Sequence, residues 1–246
     1  MVSLFFFFGG FMTELVYMKD CYVREFVAQV VKSGDDYVVL DKTAFYPEGG
    51  GQESDTGRLE WDGQRSNVLK VEKKGEVIHR VDKVPPEGTF VAGFIDWEQR
   101  YARMRMHTAQ HLVSWVAMKL FGVRTVGNQI HTERSRIDFY PANFSDEDLD
   151  RIERESNKLI EKELDVKIYE LPRHEALKIV DPKRCDLNRL PKSVKKLRIV
   201  EIDGTDWCPC AGTHVRNLIE LGKVKILEKI NKGKDKQRIV YTLIRE

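Results

Sequence analysis

Sulfur is scarce in this 246-residue chain, which has 4 cysteines: Cys21, Cys185, Cys208 and Cys210. Cys208 and Cys210 stand too close for a relaxed mutual disulfide, so the sequence reads as a protein of the reducing cytoplasm. Long apolar runs are missing as well. Val2 to Phe11 is apolar but far shorter than the ~20 residues a membrane span needs. It also lacks the basic start and small-residue cleavage site of a signal peptide. Residues 1–17 are therefore read as a disordered or spurious extension, with Met12 or Met18 as the start. Charge of one sign is absent: Lys+Arg number 41 against 39 Asp+Glu, a formal +2. Any nucleic-acid binding must then rest on local basic patches rather than on a whole-molecule field. No internal repeat occurs, and neither a Gly-x-Gly-x-x-Gly spacing nor a Gly-Lys-Ser/Thr ending is found, which argues against a nucleotide cofactor.

What is present describes a soluble globular protein, 41% hydrophobic and 33% charged, long enough for two domains. Residues 18–95 read as short strands separated by turns: Val23 to Val31, Tyr37 to Leu40, Val68 to Val71 and Glu76 to Val81. About six strands without a helical period suggest a closed or nearly closed β-barrel. From residue 96 to 246 the pattern is α+β. A buried helix starts near Asp96 and stops at Gly122, and a second helix opens at Ser145 with Asp148 three residues on. Strands are expected at Arg136 to Phe139, Val166 to Leu171, Leu197 to Asp203, Val224 to Ile230 and Arg238 to Leu243.

Two pairs of metal-type side chains stand out. His107 and His111 are four residues apart on the first helix, so both imidazoles lie on one face. Cys210 and His214 repeat the spacing a hundred residues later and would complete the tetrahedral nitrogen and sulfur shell that zinc prefers. A single pair would read as core histidines; two pairs at matched spacing read as one zinc ion per chain. Cys208 breaks the spacing and is read as a bystander. Thr108 stands where a zinc metalloprotease carries its glutamate base, and the deaminase pattern fails at Ala109 and again after Cys210. A zinc finger needs its ligand pairs within a few dozen residues.

Together, His107-Thr108-Ala109-Gln110-His111-Leu112 and Asp206-Trp207-Cys208-Pro209-Cys210-Ala211-Gly212-Thr213-His214-Val215 resemble the paired zinc motifs of the alanyl-tRNA synthetase editing domain. Phe45 to Gly57, with its glycines at 49–51, resembles the glycine-rich motif that precedes that domain. The chain is similar to the free-standing AlaX alanyl-tRNA editing proteins, in the longer form that keeps a β-barrel in front. One departure is Ala211, where the family motif has glycine.

The resemblance implies a trans-editing hydrolase that removes serine, or glycine, from tRNA specific for alanine, with no membrane partner. It implies that the loop of Gly50 and Gln52 packs toward the editing pocket, that Asp206 belongs to the site, and that the segment of Thr125 and Asn128 lines the amino-acid pocket. No residue is assigned as general base, and zinc is left open between activating water, holding the substrate amino group and shaping the pocket. Phosphate contacts are expected from two basic runs: Asp181 to Arg198, with Lys195 and Lys196, and Gly222 to Arg238, with Lys234 and Lys236. Arg103 and Arg105 lie closer to the chemistry. The competing reading is a non-catalytic, zinc-stabilised RNA-binding module.

Overall fold

The computed structural model describes residues 13–185, 187, 191 and 193–244. The chain separates into two compact units, Met1–Glu48 with Ser54–Asp96, and Gly49–Glu53 with Trp97–Glu246. The first has a short parallel ribbon, β1 (Glu14–Leu15) on β4 (Lys42–Thr43), and six further strands: β2 (Glu25–Ser33), β3 (Tyr37–Leu40), β5 (Gly57–Trp61), β6 (Gln64–Lys74), β7 (Glu76–Val81) and β8 (Phe90–Ile95). These six close into a barrel in the order β2-β3-β7-β6-β5-β8. Alternation turns Val77, His79 and Val81 inward from β7, onto a core with Leu40, Phe45, Leu59 and Ile95. In β6 the buried Val68 and Val71 are three residues apart, which strict alternation forbids. A register shift between Val68 and Lys70 resolves it, leaving Leu69 as the extra residue, turned out and exposed.

The expectation of an extension through residue 17 fails at its last five residues. Glu14 and Leu15 pair with Lys42 and Thr43, and the buried Tyr17 ring meets Tyr46 edge-on at 5.2 Å. The phenylalanine run lies outside the described residues.

In the second unit, α1 (Trp97–Phe121) is buried continuously from Arg103 to Ser114. Beside it lies an antiparallel sheet of β9 (Arg124–Gln129), β10 (Ser135–Tyr140), β14 (Lys223–Asn231) and β15 (Gln237–Ile244), in the order β14-β15-β10-β9. A second sheet, β11-β12-β13, is built from Val166–Pro172, Lys196–Ile202 and Asp206–Pro209. Helix α3 (Arg173–Ile179) packs on β11 and β12 through Ala176 and Ile199. Helix α2 (Asp146–Ile160) shows its apolar stripe of Leu149, Ile152 and Ile160, and its capping box forms: Ser145 Oγ accepts from Asp148 N–H, and Asp148 accepts from Ser145 N–H.

Gly49–Glu53 clusters with this unit because a hairpin turn carries it there. Gly49 and Gln52 exchange backbone hydrogen bonds across Gly50 and Gly51, with φ of +59° and +85°, the left-handed pair that a two-residue hairpin turn demands. Gly51 O then accepts from Ile130 N–H just beyond β9. A side chain at Gly51 would collide with Asn128, so glycine is required twice over.

Candidate metal centre

Helix geometry delivers the first two donors. His107 and His111 are one turn apart, with ring centroids 5.3 Å from each other, and the His214 ring lies 4.3 Å from His107 and 4.6 Å from His111. Cys210 Sγ is 3.6 Å from His107 Nε2 and 3.4 Å from His214 Nε2. All four donor atoms fall within 4.8 Å of one another. With zinc–nitrogen bonds of ~2.0–2.1 Å and zinc–sulfur bonds of ~2.3 Å, tetrahedral donors stand roughly 3.3–3.7 Å apart, so both measured nitrogen–sulfur edges fit.

Proton positions follow from the neighbours. Gln52 Oε1 accepts from Thr213 N–H at 3.1 Å while its Nε2 donates to Thr213 Oγ1 at 2.8 Å. The oxygen therefore faces His107 Nδ1 at 2.8 Å, Nδ1 must carry the proton, and Nε2 keeps its lone pair. Thr108 works the same way on His214. Its hydroxyl donates to Met104 O at 3.0 Å, so its oxygen accepts from His214 Nδ1 at 3.1 Å and frees Nε2. The third imidazole is held differently: His111 Nδ1 has no hydrogen-bond partner and stands 3.9 Å from Asp206 Oδ2. Side-chain oxygens around ligand imidazoles are the usual support of a zinc shell.

Electrostatics keep the three imidazoles unprotonated. Burial, then the Arg198 and Arg184 charges, push His107 down to about 3. Burial holds His111 and His214 well below the usual imidazole range, so all three are neutral at pH 7 with lone pairs to give. Arg198 ties down the second segment by donating to Cys210 O at 2.6 Å and Gly212 O at 3.0 Å, and Gly212 N–H points at Cys210 Sγ. A Cβ on Gly212 would enter the His107 ring, so this loop approaches only as glycine. Cys208, two residues before Cys210, sits in β13 opposite Val200, and burial pushes its thiol up.

Among the described residues the structure gathers His107, His111, Cys210 and His214 and relocates several others. The buried Gln52 braces the cluster and Gly50 is the exposed tip of its hairpin, where the resemblance implied pocket contacts for both. Asp206 is buried behind His111, with Arg184 Nε and Nη2 on its carboxylate at 3.0 Å each. Arg105 turns inward: it is buried and donates to Glu220 O and Leu221 O at 2.6 Å, capping the short 3₁₀ turn Leu218–Leu221. Arg103 is buried and bonded to Glu53 and Gln99. In the first basic run, Arg184 and Arg198 turn inward, Arg189 and Lys192 lie outside the described residues, and Lys195 and Lys196 are exposed. In the second, Lys225 pairs with Glu153, Lys229 with Asp146, and Arg238 and Lys236 with Asp138, while Lys234 is exposed.

Thr125 and Asn128 lie on β9, not in a turn. Thr125 is opposite Phe139 and Asn128 opposite Ile137, with the register shifting so that Val126 is an extra residue. Ile137 and Phe139 share a face with Ile239 and Tyr241, and Tyr241 OH donates to Met106 O of α1. The bulge therefore puts Thr125 and Asn128, three apart in sequence, on the same α1-facing side. Sequence periodicity carries no signal for this.

Residues 5–99 match the family described as tRNA synthetases class II (A), and residues 197–240 match the threonyl and alanyl tRNA synthetase second additional domain. The alanyl-tRNA editing protein AlaX-M of Methanosarcina barkeri is 43% identical over 246 residues, covering 95% of this chain and 100% of that protein. The chain belongs to the alanyl-tRNA editing protein family. A second family member, AlaX-M of Saccharolobus solfataricus, is 42% identical, over 94% of this chain and 99% of its own length. The alanine--tRNA ligase of Ignicoccus hospitalis is 39% identical over 87% of this chain, which spans 24% of that longer protein. No helix among the described residues is long and apolar enough to cross a membrane.

Proposed function

We propose that this chain is a trans-editing deacylase that hydrolyses the ester joining serine, or glycine, to tRNA specific for alanine, with one zinc ion held by His107, His111, Cys210 and His214. The observation that carries the reading is the convergence of four donors from segments a hundred residues apart, two of them imidazoles fixed with their free nitrogens toward the shared sulfur. Membership of the alanyl-tRNA editing family supports the tRNA part of that reading.

Such an activity has a physical reason. An alanine pocket cannot exclude glycine by size, and rejects an added hydroxyl only weakly, so a second site must clear both errors. Bound zinc supplies Lewis acidity and polarises an oxygen or nitrogen ligand. Gln52 and Thr108 hold two ligand imidazoles in their metal-binding tautomers, and Arg198 fixes the loop that carries Cys210. Thr125 and Asn128 form the wall that meets the amino-acid side chain. Lys195, Lys196 and Lys234 are the exposed cations for tRNA phosphates.

Deacylation of seryl-, glycyl- and alanyl-tRNA for alanine, with and without zinc, tests this. The seryl and glycyl esters should be cleaved and the alanyl ester spared, with cleavage lost from metal-free but folded protein. Tight tRNA binding without hydrolysis of any ester would replace the reading with a zinc-stabilised RNA-binding module.

A further inference from the structure

We infer that Ser114, held by Gln110, is a positioning residue that sets Thr125 as the reader of the substrate hydroxyl; this rests on the deacylase reading above. Ser114 follows His107 and His111 at i+7 and i+3 on α1, so the three share one helix face. From His111 to Ser114 the helix rises about 4.5 Å, one step along the same polar stripe.

The hydrogen bonds give Ser114 its role. Gln110 Nε2 donates to Ser114 Oγ at 2.8 Å, and Thr125 Oγ1 donates to the same oxygen at 2.8 Å. Ser114 and Gln110 are buried, Thr125 only partly so. With its proton committed to Ser114, Thr125 presents lone pairs alone, and becomes an acceptor for a donor that arrives from the cleft. Serine brings that donor. Glycine makes no contact there, whereas the alanine methyl fills the place and brings no donor, leaving the acceptor unpaired.

Two features remove the bland explanation of a packing serine. Buried in mid-helix, serine is a poorer helix former than alanine, and its usual local partner is the carbonyl four residues back; here two side chains converge on it instead. The extra residue Val126 also turns Thr125 to the α1 side, where strict alternation from Asn128 would turn it away.

Seryl and glycyl deacylation should be measured for wild type, Ser114→Ala, Thr125→Val and the double variant, with zinc per chain as the control on folding. Ser114→Ala should lower the ratio of seryl to glycyl kcat/KM about tenfold while zinc stays stoichiometric, the size expected from loss of one neutral hydrogen bond. In the Thr125→Val background it should cost nothing further, because it acts through Thr125. Equal losses on both esters, or additive losses in the double variant, would overturn the inference alone. Wild type inactive on both esters would overturn the deacylase reading and this inference with it. Should Ser114→Ala lose zinc, Gln110→Met puts the same question from the other side of Ser114, and an unchanged ratio there overturns the inference.

Discussion

His79 in the barrel and His107 in the metal cluster are both buried, and burial pushes both imidazoles far down, to about 4 and about 3. They differ in what each nitrogen does. His79 Nδ1 donates to Val38 O at 3.3 Å, and its Nε2 accepts from Thr43 at 2.9 Å, so the ring is satisfied within its own unit. His107 gives only Nδ1 to a neighbour, Gln52; its Nε2 faces Cys210 Sγ. His214 repeats that division, with Thr108 on one side and Cys210 on the other. His79 spends both nitrogens on its fold, whereas His107 and His214 each turn one toward the shared sulfur. Burial and a lowered pKa cannot tell the two apart; the pattern of partners does.

Removing the shared sulfur should break the contrast most completely. Cys210→Ala leaves three imidazoles without their thiolate and should take zinc from one per chain to near zero after dialysis, while His79→Gln keeps it. Stoichiometric zinc in Cys210→Ala by metal analysis would dissolve the ligand set. Acid should then expose the barrel. The folded value of His79, about 4, lies below its unfolded 6.5, so its contribution is complete above pH 6.5 and is lost as pH falls from 6.5 toward 4. Across that window the loss approaches about 3 kcal/mol. Urea midpoints of wild type and His79→Gln as a function of pH isolate it, and parallel curves would count against a neutral, buried His79.

Gln52→Leu sharpens the comparison by removing the partner of Nδ1 and leaving the ligand itself. Loss of such a support typically lowers metal affinity 10- to 100-fold, about 1.4–2.7 kcal/mol, and chelator competition reads it directly. Unchanged affinity would mean that the hairpin merely lies near the cluster.

Much of this was legible in sequence because it depends on local spacing. The i, i+4 spacing marked His107 with His111 and Cys210 with His214 as pairs, Gly122 and Ser145 marked helix ends, and short alternating strands implied the barrel that closes. What escaped depends on partners distant in sequence. Arg184 and Arg198 read as part of a basic run for tRNA phosphates, yet they are anchored by Asp206 and by the carbonyls of Cys210 and Gly212. Gln52 read as part of a glycine loop, because nothing local reveals that Thr213, 161 residues away, fixes its amide. Bulges at Leu69 and Val126 break the two-residue period on which strand reading relies.

Cys208 makes the smallest and most discriminating prediction. It has a ligand's chemistry, lies two residues from Cys210, and is buried, so burial and residue type alone would make it a donor. Its geometry says otherwise. β13 pairs Cys208 with Val200, and its sulfur's polar contact is Pro209 O at 3.8 Å. Among the described residues the donor group holds Cys210 and three histidines without it. Cys208→Ala should therefore keep stoichiometric zinc and cost roughly 1 kcal/mol or less, the loss of one small buried group. Zinc analysis beside a urea titration separates the outcomes: loss of the metal with Cys208 would make it a ligand and overturn the set of four.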